Sequence, residues 1–173
     1  MAAAEIDRTL SRLAHELVER NRGTAGLCLI GIRRRGIPLS QRLARAVQAI
    51  DGSVLPLGTL DITLYRDDLS MVAAQPVVHS TDISFAVDDK VIVLVDDVLY
   101  TGRTIRAAMN GLFDLGRPKR IELCVLIDRG HRELPIEATY VGRNVQTSDM
   151  EIIEVRLNEI DQEERVMLVE RVP

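Results

Sequence analysis

Residues 91–104 read VIVLVDDVLYTGRT, and this stretch carries the clearest pattern of secondary structure in the chain. Five consecutive apolar residues precede Asp96 and Asp97, and a turn containing Thr101 and Gly102 follows. Beyond the turn, residues 105–112 carry apolar side chains at spacings of three and four. A continuous apolar run is typical of a strand buried on both faces, and the later spacing predicts a helix. The stretch therefore predicts a buried strand that leads through a short turn into a helix.

Downstream of this helix, the pattern predicts further strands. Gly116 and Pro118 stop the helix, and the apolar run at residues 121–127 predicts a second buried strand. In a strand, helix, strand unit, parallel pairing with a right-handed crossover is strongly favoured. After it, the pattern predicts short strands without helices between them, around residues 138–141, 151–155 and 166–169.

Upstream, the pattern predicts a helix, then a strand, a loop and a second helix. Apolar spacing predicts an amphipathic helix over residues 6–20, and LCLIGI at residues 27–32 predicts a buried strand. Pro38 opens a second helical pattern. Alternating polarity within residues 54–64 predicts a strand with one wetter face, and residues 66–82 predict a long loop.

These elements define the expected fold class and location. We expect an α/β fold, a mostly parallel central sheet flanked by helices, with a smaller strand-rich subdomain, in one domain over residues 1–173. Ligands should bind at the carboxyl edge of the sheet. With 46% hydrophobic and 28% charged residues and no membrane-length apolar run, we expect a soluble cytoplasmic protein with no membrane partner.

The charge is unevenly distributed along the chain. The net charge is −4, and residues 149–173 hold eight acids and three bases, which leaves 18 acids and 19 bases elsewhere. Lys90 and Lys119 are the only lysines among 22 basic residues. Arginine's planar fork suits phosphate, but genomic base composition explains the bias equally well.

The motif at residues 91–104 suits a phosphorylated ribose. Asp96 and Asp97 can accept hydrogen bonds from a ribose diol, whereas they would repel phosphate. The following turn offers backbone N–H groups, hydroxyls and a helix N-terminus, which together form an anion cradle for a 5′-phosphate. The residues of this cradle are Thr101, Gly102, Arg103 and Thr104.

Other interpretations of these motifs remain open at this point. Paired aspartates could hold Mg²⁺ in a phosphatase or an NTPase, and the Thr-Gly turn could be only a helix cap. GIRRRG at residues 31–36 spaces its glycines as a P-loop does, but Ile37 and Pro38 replace the required lysine and serine. Motifs of serine hydrolases, zinc proteases and dinucleotide enzymes do not occur.

VIVLVDDVLYTGRT resembles the phosphoribosyl pyrophosphate (PRPP) signature of the type I phosphoribosyltransferases. Further segments narrow the resemblance to the PyrR family, the pyrimidine operon attenuation proteins that are also uracil phosphoribosyltransferases. These segments are RLAHELVERN, GIRRRGIPLS, LDITLYRDDLS, LGRPKRIELCVLIDRGHRELPI and YVGRNVQTS. The resemblance extends from about residue 6 to the last strand, and it implies a type I phosphoribosyltransferase fold in which the small strand-rich part forms a hood.

The resemblance also implies the reaction and its site. Uracil and PRPP would give UMP and pyrophosphate with Mg²⁺, and no protein metal ligand is assigned. Asp97 would interact with the sugar and its developing charge, and Arg66 would belong to an active-site lid. The matching pyrophosphate loop contains Arg33, Arg34 and Arg35, with N–H groups made accessible by Gly31 and Gly36. The matching base pocket contains Ile127, Asp128 and Arg129.

Regulation by RNA binding is the second implied function, with UMP strengthening attachment to the leader RNA of the pyrimidine operon. The matching positions are Ser11, Arg12, His15, Arg20, His131, Arg132, Arg143 and Thr147. For each of them, an exposed solubilising role is the alternative. One position departs from the family: Glu137 stands where the L-P-I-R stretch has arginine, and an acid there opposes contact with phosphate.

Two further readings stay open. The chain could be an RNA-binding regulator that uses the PRPP site only as a nucleotide sensor, or a phosphoribosyltransferase for another base. In each case the resemblance implies a homodimer or a higher homo-oligomer.

Overall fold

A computed structural model describes residues 1–68 and 80–171. The helices are α1 (Ala3–Asn21), α2 (Gly36–Asp51), α3 (Arg103–Phe113) and α4 (Asn158–Asp161). The strands are β1 (Leu27–Ile32), β2 (Leu57–Leu60), β3 (Val91–Leu99), β4 (Arg120–Asp128), β5 (Tyr140–Asn144), β6 (Glu151–Arg156) and β7 (Arg165–Glu170).

The central sheet is parallel, with strand order β2-β1-β3-β4-β5. This confirms the expected α/β fold with β3 at its centre. The central strand is longer than the apolar run of residues 91–95, since Val98 and Leu99 still pair with Ile127 and Asp128 of β4. Asp96 and Asp97 therefore lie within the strand, shortly before its carboxyl end.

Helices cover both faces of the sheet because successive strand side chains point to opposite sides. One core joins α1 and α2 to alternate residues of the strands, including Leu29 and Val93. The other core joins α3 to the intervening residues, including Ile30 and Leu94. Helix α1 ends where Arg22 adopts a left-handed conformation, close to residue 20, where the predicted helix ends.

A small antiparallel sheet of β6 and β7 forms the hood expected from the resemblance. The first residues of the chain extend it, because Ala2 bridges Arg165 and the Met1 ammonium donates to the Val166 carbonyl at 2.7 Å. One detail of the prediction is wrong, since the short helix α4 separates the two hood strands. The predicted strand near residues 138–141 is β5, which joins the parallel sheet beside β4.

The strand predicted over residues 54–64 is also wrong beyond Leu60. The Asp61 carboxylate accepts hydrogen bonds from the Thr63 N–H and hydroxyl, at 2.9 and 2.6 Å, and turns the chain into a 3-10 helix, Thr63–Tyr65. Leu64 is consequently 61% exposed. Most of the predicted loop of residues 66–82, including residues 69–79, lies outside the described residues.

Within the described residues, no helix is long and apolar enough to cross a membrane. The assignment of residues 1–173 to a single domain stays a prediction.

Candidate active site

The two aspartates of β3 form a buried acidic pair that faces a cavity. Asp96 is 7% exposed, and its Oδ1 accepts the N–H of Asp97 at 3.0 Å. Oδ1 of Asp97 accepts the N–H of Val98 at 2.8 Å. Burial and the neighbouring Asp97 raise the pKa of Asp96 well above its usual value. Burial also raises the pKa of Asp97, although the Val98 N–H and the Arg35 charge oppose this.

A cavity of about 460 Å³ brings most of the predicted site residues together. This volume lies within the range of about 300–1,000 Å³ that is typical of small-molecule sites. Its lining comprises Arg33, Arg34, Arg35, Asp61, Ile62, Thr63, Arg66, Asp96, Asp97, Val98 and Thr104. Both carboxylates, the three successive arginines and Arg66 therefore meet in one cavity.

The predicted phosphate cradle forms the turn between β3 and α3. Gly102 has φ +92°, a left-handed conformation that disfavours any residue with a Cβ, and it precedes the first turn of α3. A Cβ there would also lie 3.3 Å from the Cβ of Ile136. The first helical turn leaves backbone N–H groups without intrahelical partners, so they can bind an anion.

The side chain of Arg103 is engaged in two ion pairs outside this cradle. Its Nε donates to Glu133 at 2.6 Å and its Nη1 donates to Asp67 at 2.7 Å. These ion pairs hold the guanidinium on the protein surface, so Arg103 offers its backbone to the cradle.

A second turn, at residues 130–136, supports the cradle from behind. The Thr101 carbonyl accepts the N–H groups of Glu133 and Leu134, at 3.0 and 3.2 Å. Nη1 of Arg132 donates to the Tyr100 carbonyl at 2.8 Å, and the Arg129 guanidinium lies 4.0 Å from the centroid of the Tyr100 ring. Arg132, predicted to contact RNA, thus also supports the cradle.

The arginine loop between β1 and α2 is packed tightly against β3. A Cβ on Gly36 would lie 2.2 Å from the Val95 carbonyl oxygen, and one on Gly31 would lie 2.6 Å from the Gly36 carbonyl oxygen. These glycines permit close backbone contact, and the accessibility of the loop's N–H groups, implied by the resemblance, stays a prediction. The peptide bond between Arg33 and Arg34 is cis.

The three arginines of this loop have different surroundings. Nε and Nη2 of Arg35 donate to both carboxylate oxygens of Asp161, at 3.1 and 2.7 Å. Arg34 is exposed. Among the described residues, the buried Nε of Arg33 has no hydrogen-bond partner, which is consistent with a donor that meets a ligand.

A second cavity, of about 400 Å³, opens beneath the hood. Its lining comprises Arg35, Asp97, Ile153, Glu154, Val155, Arg156 and Asp161. Arg35 and Asp97 also line the first cavity, so the two cavities meet at these side chains. Sequence reasoning did not place Asp161 or β6 in the site, because only the fold brings the hood beside β3.

The residues predicted for the base pocket line neither of these two cavities, and their role in base binding stays a prediction. Ile127 is completely buried in the core, so its side chain cannot contact a base. Asp128 pairs with Arg132, and Arg129 donates to the Thr147 hydroxyl at 3.1 Å and the Glu151 carbonyl at 2.8 Å. Asp128 and Arg129 line a third cavity, of about 500 Å³, together with Arg132 and Glu137.

The positions predicted to bind RNA fall into two groups. The exposed group on α1 comprises Ser11, Arg12, His15 and Arg20. Arg12 donates to the Gly142 carbonyl of β5 at 2.5 Å, and Arg143 pairs with Glu5 at 3.1 Å, so α1 and β5 share one face. In the other group, a His131 ring nitrogen hydrogen-bonds the Thr147 carbonyl at 2.7 Å, and Arg132 borders the third cavity with the exposed Glu137.

Comparison with known proteins identifies the class of enzyme to which this chain belongs. A model of the phosphoribosyl transferase domain matches residues 2–160, so this chain is a phosphoribosyltransferase. The bifunctional protein PyrR of Pelotomaculum thermopropionicum is 62% identical over 165 residues, covering 95% of this chain and 91% of the relative. That of Thermus thermophilus is 58% identical over 171 residues, covering 99% and 94%. The chain therefore belongs to the PyrR family, which confirms the resemblance.

Solved structures agree in fold at much lower identity. The hypoxanthine phosphoribosyltransferase of Trypanosoma cruzi is 18% identical with a TM-score of 0.74, over 100% of this chain and 95% of that chain. A hypoxanthine phosphoribosyltransferase of Staphylococcus aureus is 18% identical with a TM-score of 0.70, over 99% and 90%. At this identity the likeness supports the type I phosphoribosyltransferase fold alone.

Proposed function

We propose that the two cavities that meet at Arg35 and Asp97 hold the two substrates of a uracil phosphoribosyltransferase. PRPP occupies the cavity that the arginine loop lines, and uracil occupies the cavity beneath the hood. The shared boundary carries this proposal, because Arg35 and Asp97 line both cavities. The bond between C1′ and the pyrophosphate oxygen breaks there, the bond between C1′ and uracil N1 forms, and the proton of uracil N1 is released to solvent.

The parts of PRPP have separate partners in the first cavity. Asp96 and Asp97 accept hydrogen bonds from the ribose diol, and the turn from Thr101 to Thr104 holds the 5′-phosphate by its backbone and hydroxyls. Arg33 and Arg34 neutralise the pyrophosphate as it leaves. This division follows from charge, since the acids repel phosphate and the arginines attract it.

Positioning and electrostatics supply the catalysis. As the C1′–O bond breaks, positive charge develops on the ribose, and ionised Asp97 at the junction stabilises it. We assign no general base. Arg66, which now pairs with Asp68 at 2.6 Å, lines the same cavity and is our candidate for a lid residue that excludes water from the glycosyl donor.

The donor set fits Mg²⁺ that arrives with PRPP. Mg²⁺ prefers oxygen ligands and is commonly bound by one or two carboxylates together with substrate phosphates. Asp96 and Asp97 supply such carboxylates, whereas the described residues contain no cluster of three or more possible ligands that could hold a metal ion unaided. When bound, the ion would neutralise charge on the leaving pyrophosphate.

The second function is control of the pyrimidine operon through its leader RNA. UMP, the product, occupies the same site and strengthens RNA binding. The faces that carry this function are the surface shared by α1 and β5 and the turn at residues 130–136. We expect the protein to act in the cytoplasm as a homodimer or a higher homo-oligomer.

Measurement of pyrophosphate release tests the enzymatic proposal. The protein is incubated with PRPP, Mg²⁺ and one of uracil, hypoxanthine or orotate, or with no base. Release with uracil alone is the expected result. A nucleotide sensor without turnover would release none with any base, and release with another base would assign a different acceptor. The double variant Asp96→Asn, Asp97→Asn is the inactive control.

A further inference from the structure

The ion pair between Arg35 and Asp161 joins the arginine loop to the hood. The two residues are 126 positions apart in sequence, and their bidentate contact is partly buried, with side-chain exposures of 30% and 16%. Oδ2 of Asp161 also accepts the Leu157 N–H at 2.9 Å, which fixes the carboxylate at the start of α4. Asp161 is therefore a rigid anchor for a long cationic side chain.

Arg35 has a second carboxylate within its electrostatic reach. Arg35 and Asp97 line both cavities, so the two side chains face the same junction. The cavity beneath the hood presents two other carboxylates to a guanidinium without this anchor, Glu154 and Asp97, and Asp97 is the group proposed to bind the ribose diol. An ion pair between Arg35 and Asp97 would occupy the acceptor oxygens that the diol needs.

We propose that Asp161 is a positioning residue for PRPP binding, which acts by holding the Arg35 guanidinium away from Asp97. The inference rests on the proposed function of the site. Asp161 itself contacts neither the ribose nor the phosphates. Because the bidentate pair fixes the guanidinium plane, the remaining N–H groups of Arg35 stay oriented at the junction, and Asp97 stays free for substrate.

The variant Asp161→Asn tests the proposal with little disturbance of the hood. Asparagine keeps an oxygen that can accept the Leu157 N–H, but it removes the charge that anchors Arg35. We expect KM for PRPP to rise about tenfold, the size of one lost charge-assisted hydrogen bond, with kcat changed much less. Calorimetric titration with PRPP and Mg²⁺ should show the same loss of affinity. Asp161→Glu should restore part of it.

Glu164→Gln is the matched control for a purely structural role. Glu164 also joins the hood to a helix arginine, pairing with Arg42 at 2.6 Å, and it also accepts a backbone N–H of α4, that of Asn158 at 2.9 Å. Glu164 does not line the junction, so KM for PRPP should stay within about twofold of wild type. Thermal unfolding of each variant reports any common loss of stability.

A mutant cycle decides whether Asp161 acts through Arg35. If it does, adding Asp161→Asn to Arg35→Gln should cause no further rise in KM. Unchanged PRPP affinity in Asp161→Asn, an equal loss in Glu164→Gln, or additive effects in the cycle would each overturn the proposal. Failure of the proposed function gives a different result, since wild type itself would then release no pyrophosphate with uracil.

Discussion

Asp96 shows how one residue can serve binding at a cost to stability. A carboxylate that is only 7% exposed and lies next to Asp97 favours its protonated form in the folded protein. In the unfolded chain the same group ionises near the usual value of 3.8. The folded state therefore holds a proton that the unfolded state loses as pH rises, and stability falls through this pH range.

Replacement of this carboxylate should stabilise the folded protein and at the same time weaken its binding of PRPP. At pH 7, we expect Asp96→Asn to raise Tm, by about 2–4 °C for each kcal/mol of unfolding free energy recovered. The gain should shrink as pH falls toward 3.8, where the wild-type carboxyl becomes protonated in both states. KM for PRPP should rise about tenfold through the lost hydrogen-bond acceptor. Thermal unfolding from pH 4 to pH 8 and steady-state kinetics measure the two effects.

Asp7→Asn provides the comparison for this experiment. Asp7 is exposed on α1 and distant in the fold from the acid pair, so its variant should show little change in Tm across the same pH range. Identical unfolding curves for Asp96→Asn and wild type at every pH would show that the buried carboxyl does not destabilise the folded protein.

At the scale of elements, close backbone packing positions the arginine loop. The loop contacts β3 directly before the acid pair, because Gly36 has no side chain to separate it from Val95. This contact brings the arginines and the aspartates to the lining of one cavity. The distance between the two charged groups thus depends on a residue that carries no charge.

Gly36→Ala should therefore damage both stability and PRPP binding. The added Cβ would lie 2.2 Å from the Val95 carbonyl oxygen, so a backbone segment must shift, and overpacking of this kind typically costs about 1–3 kcal/mol. Gly111→Ala in α3 is the matched control, because its Cβ would lie 3.4 Å from the nearest atoms, which belong to the side chains of Leu60 and Tyr65. Alanine also favours a helix by about 1 kcal/mol over glycine, so Gly111→Ala should keep or raise stability. Urea unfolding and PRPP titration compare the two, and equal effects would contradict the packing argument.

Sequence patterns predicted the elements whose signals are local. The predicted unit of β3, α3 and β4 is confirmed. It could be predicted because its apolar runs and stop residues are contiguous in sequence. The alternating polarity within residues 54–64 predicted a strand that continues beyond Leu60, which is wrong. The same polarity pattern also suits a turn held by an aspartate side chain, as Asp61 shows. The twin acids, the Thr-Gly turn and the arginine loop were identified from short motifs.

Long-range partners could not be predicted in the same way. Asp161 belongs to the acidic C-terminal segment, where it resembles any solvated carboxylate until the hood folds against Arg35. The resemblance implies a base pocket at Ile127, and nothing in the sequence around it shows that neighbouring strands and helices bury its side chain completely. In both cases burial and contact depend on tertiary packing, which single-sequence patterns do not contain.

At the scale of the whole molecule, charge limits how RNA can bind. The net charge of −4 repels a polyanion at long range, and residues 149–173 hold eight acids against three bases. Affinity for RNA must therefore come from a local basic face. The face shared by α1 and β5 has exposed arginines, although Arg143 and Arg12 each pair with a glutamate there.

Replacement of single arginines can distinguish the effect of a local basic face on RNA binding from the effect of the overall charge of the protein. With UMP present, Arg143→Ala should weaken binding to the organism's own pyrimidine leader transcript, and it should reduce the salt slope by about 0.7–0.9 if one phosphate contact is lost. Arg117→Ala removes the same charge from an exposed site after α3 and should change neither quantity. Equal losses in both variants would show that the overall field governs binding. Fluorescence anisotropy across a salt series measures both variants.

Arg132→Ala should behave differently from both, because Arg132 supports the turn proposed to hold the phosphate and also belongs to the proposed RNA face. Its guanidinium holds the Tyr100 carbonyl beside the phosphate cradle and the Ile136 carbonyl, each at 2.8 Å. Its loss should lower UMP affinity even without RNA, and should lower RNA affinity further because less nucleotide is bound. UMP titration by calorimetry, with and without transcript, separates the two effects. Unchanged UMP affinity with weakened RNA binding would make Arg132 an RNA contact alone, and equal RNA binding across salt would remove it from the face.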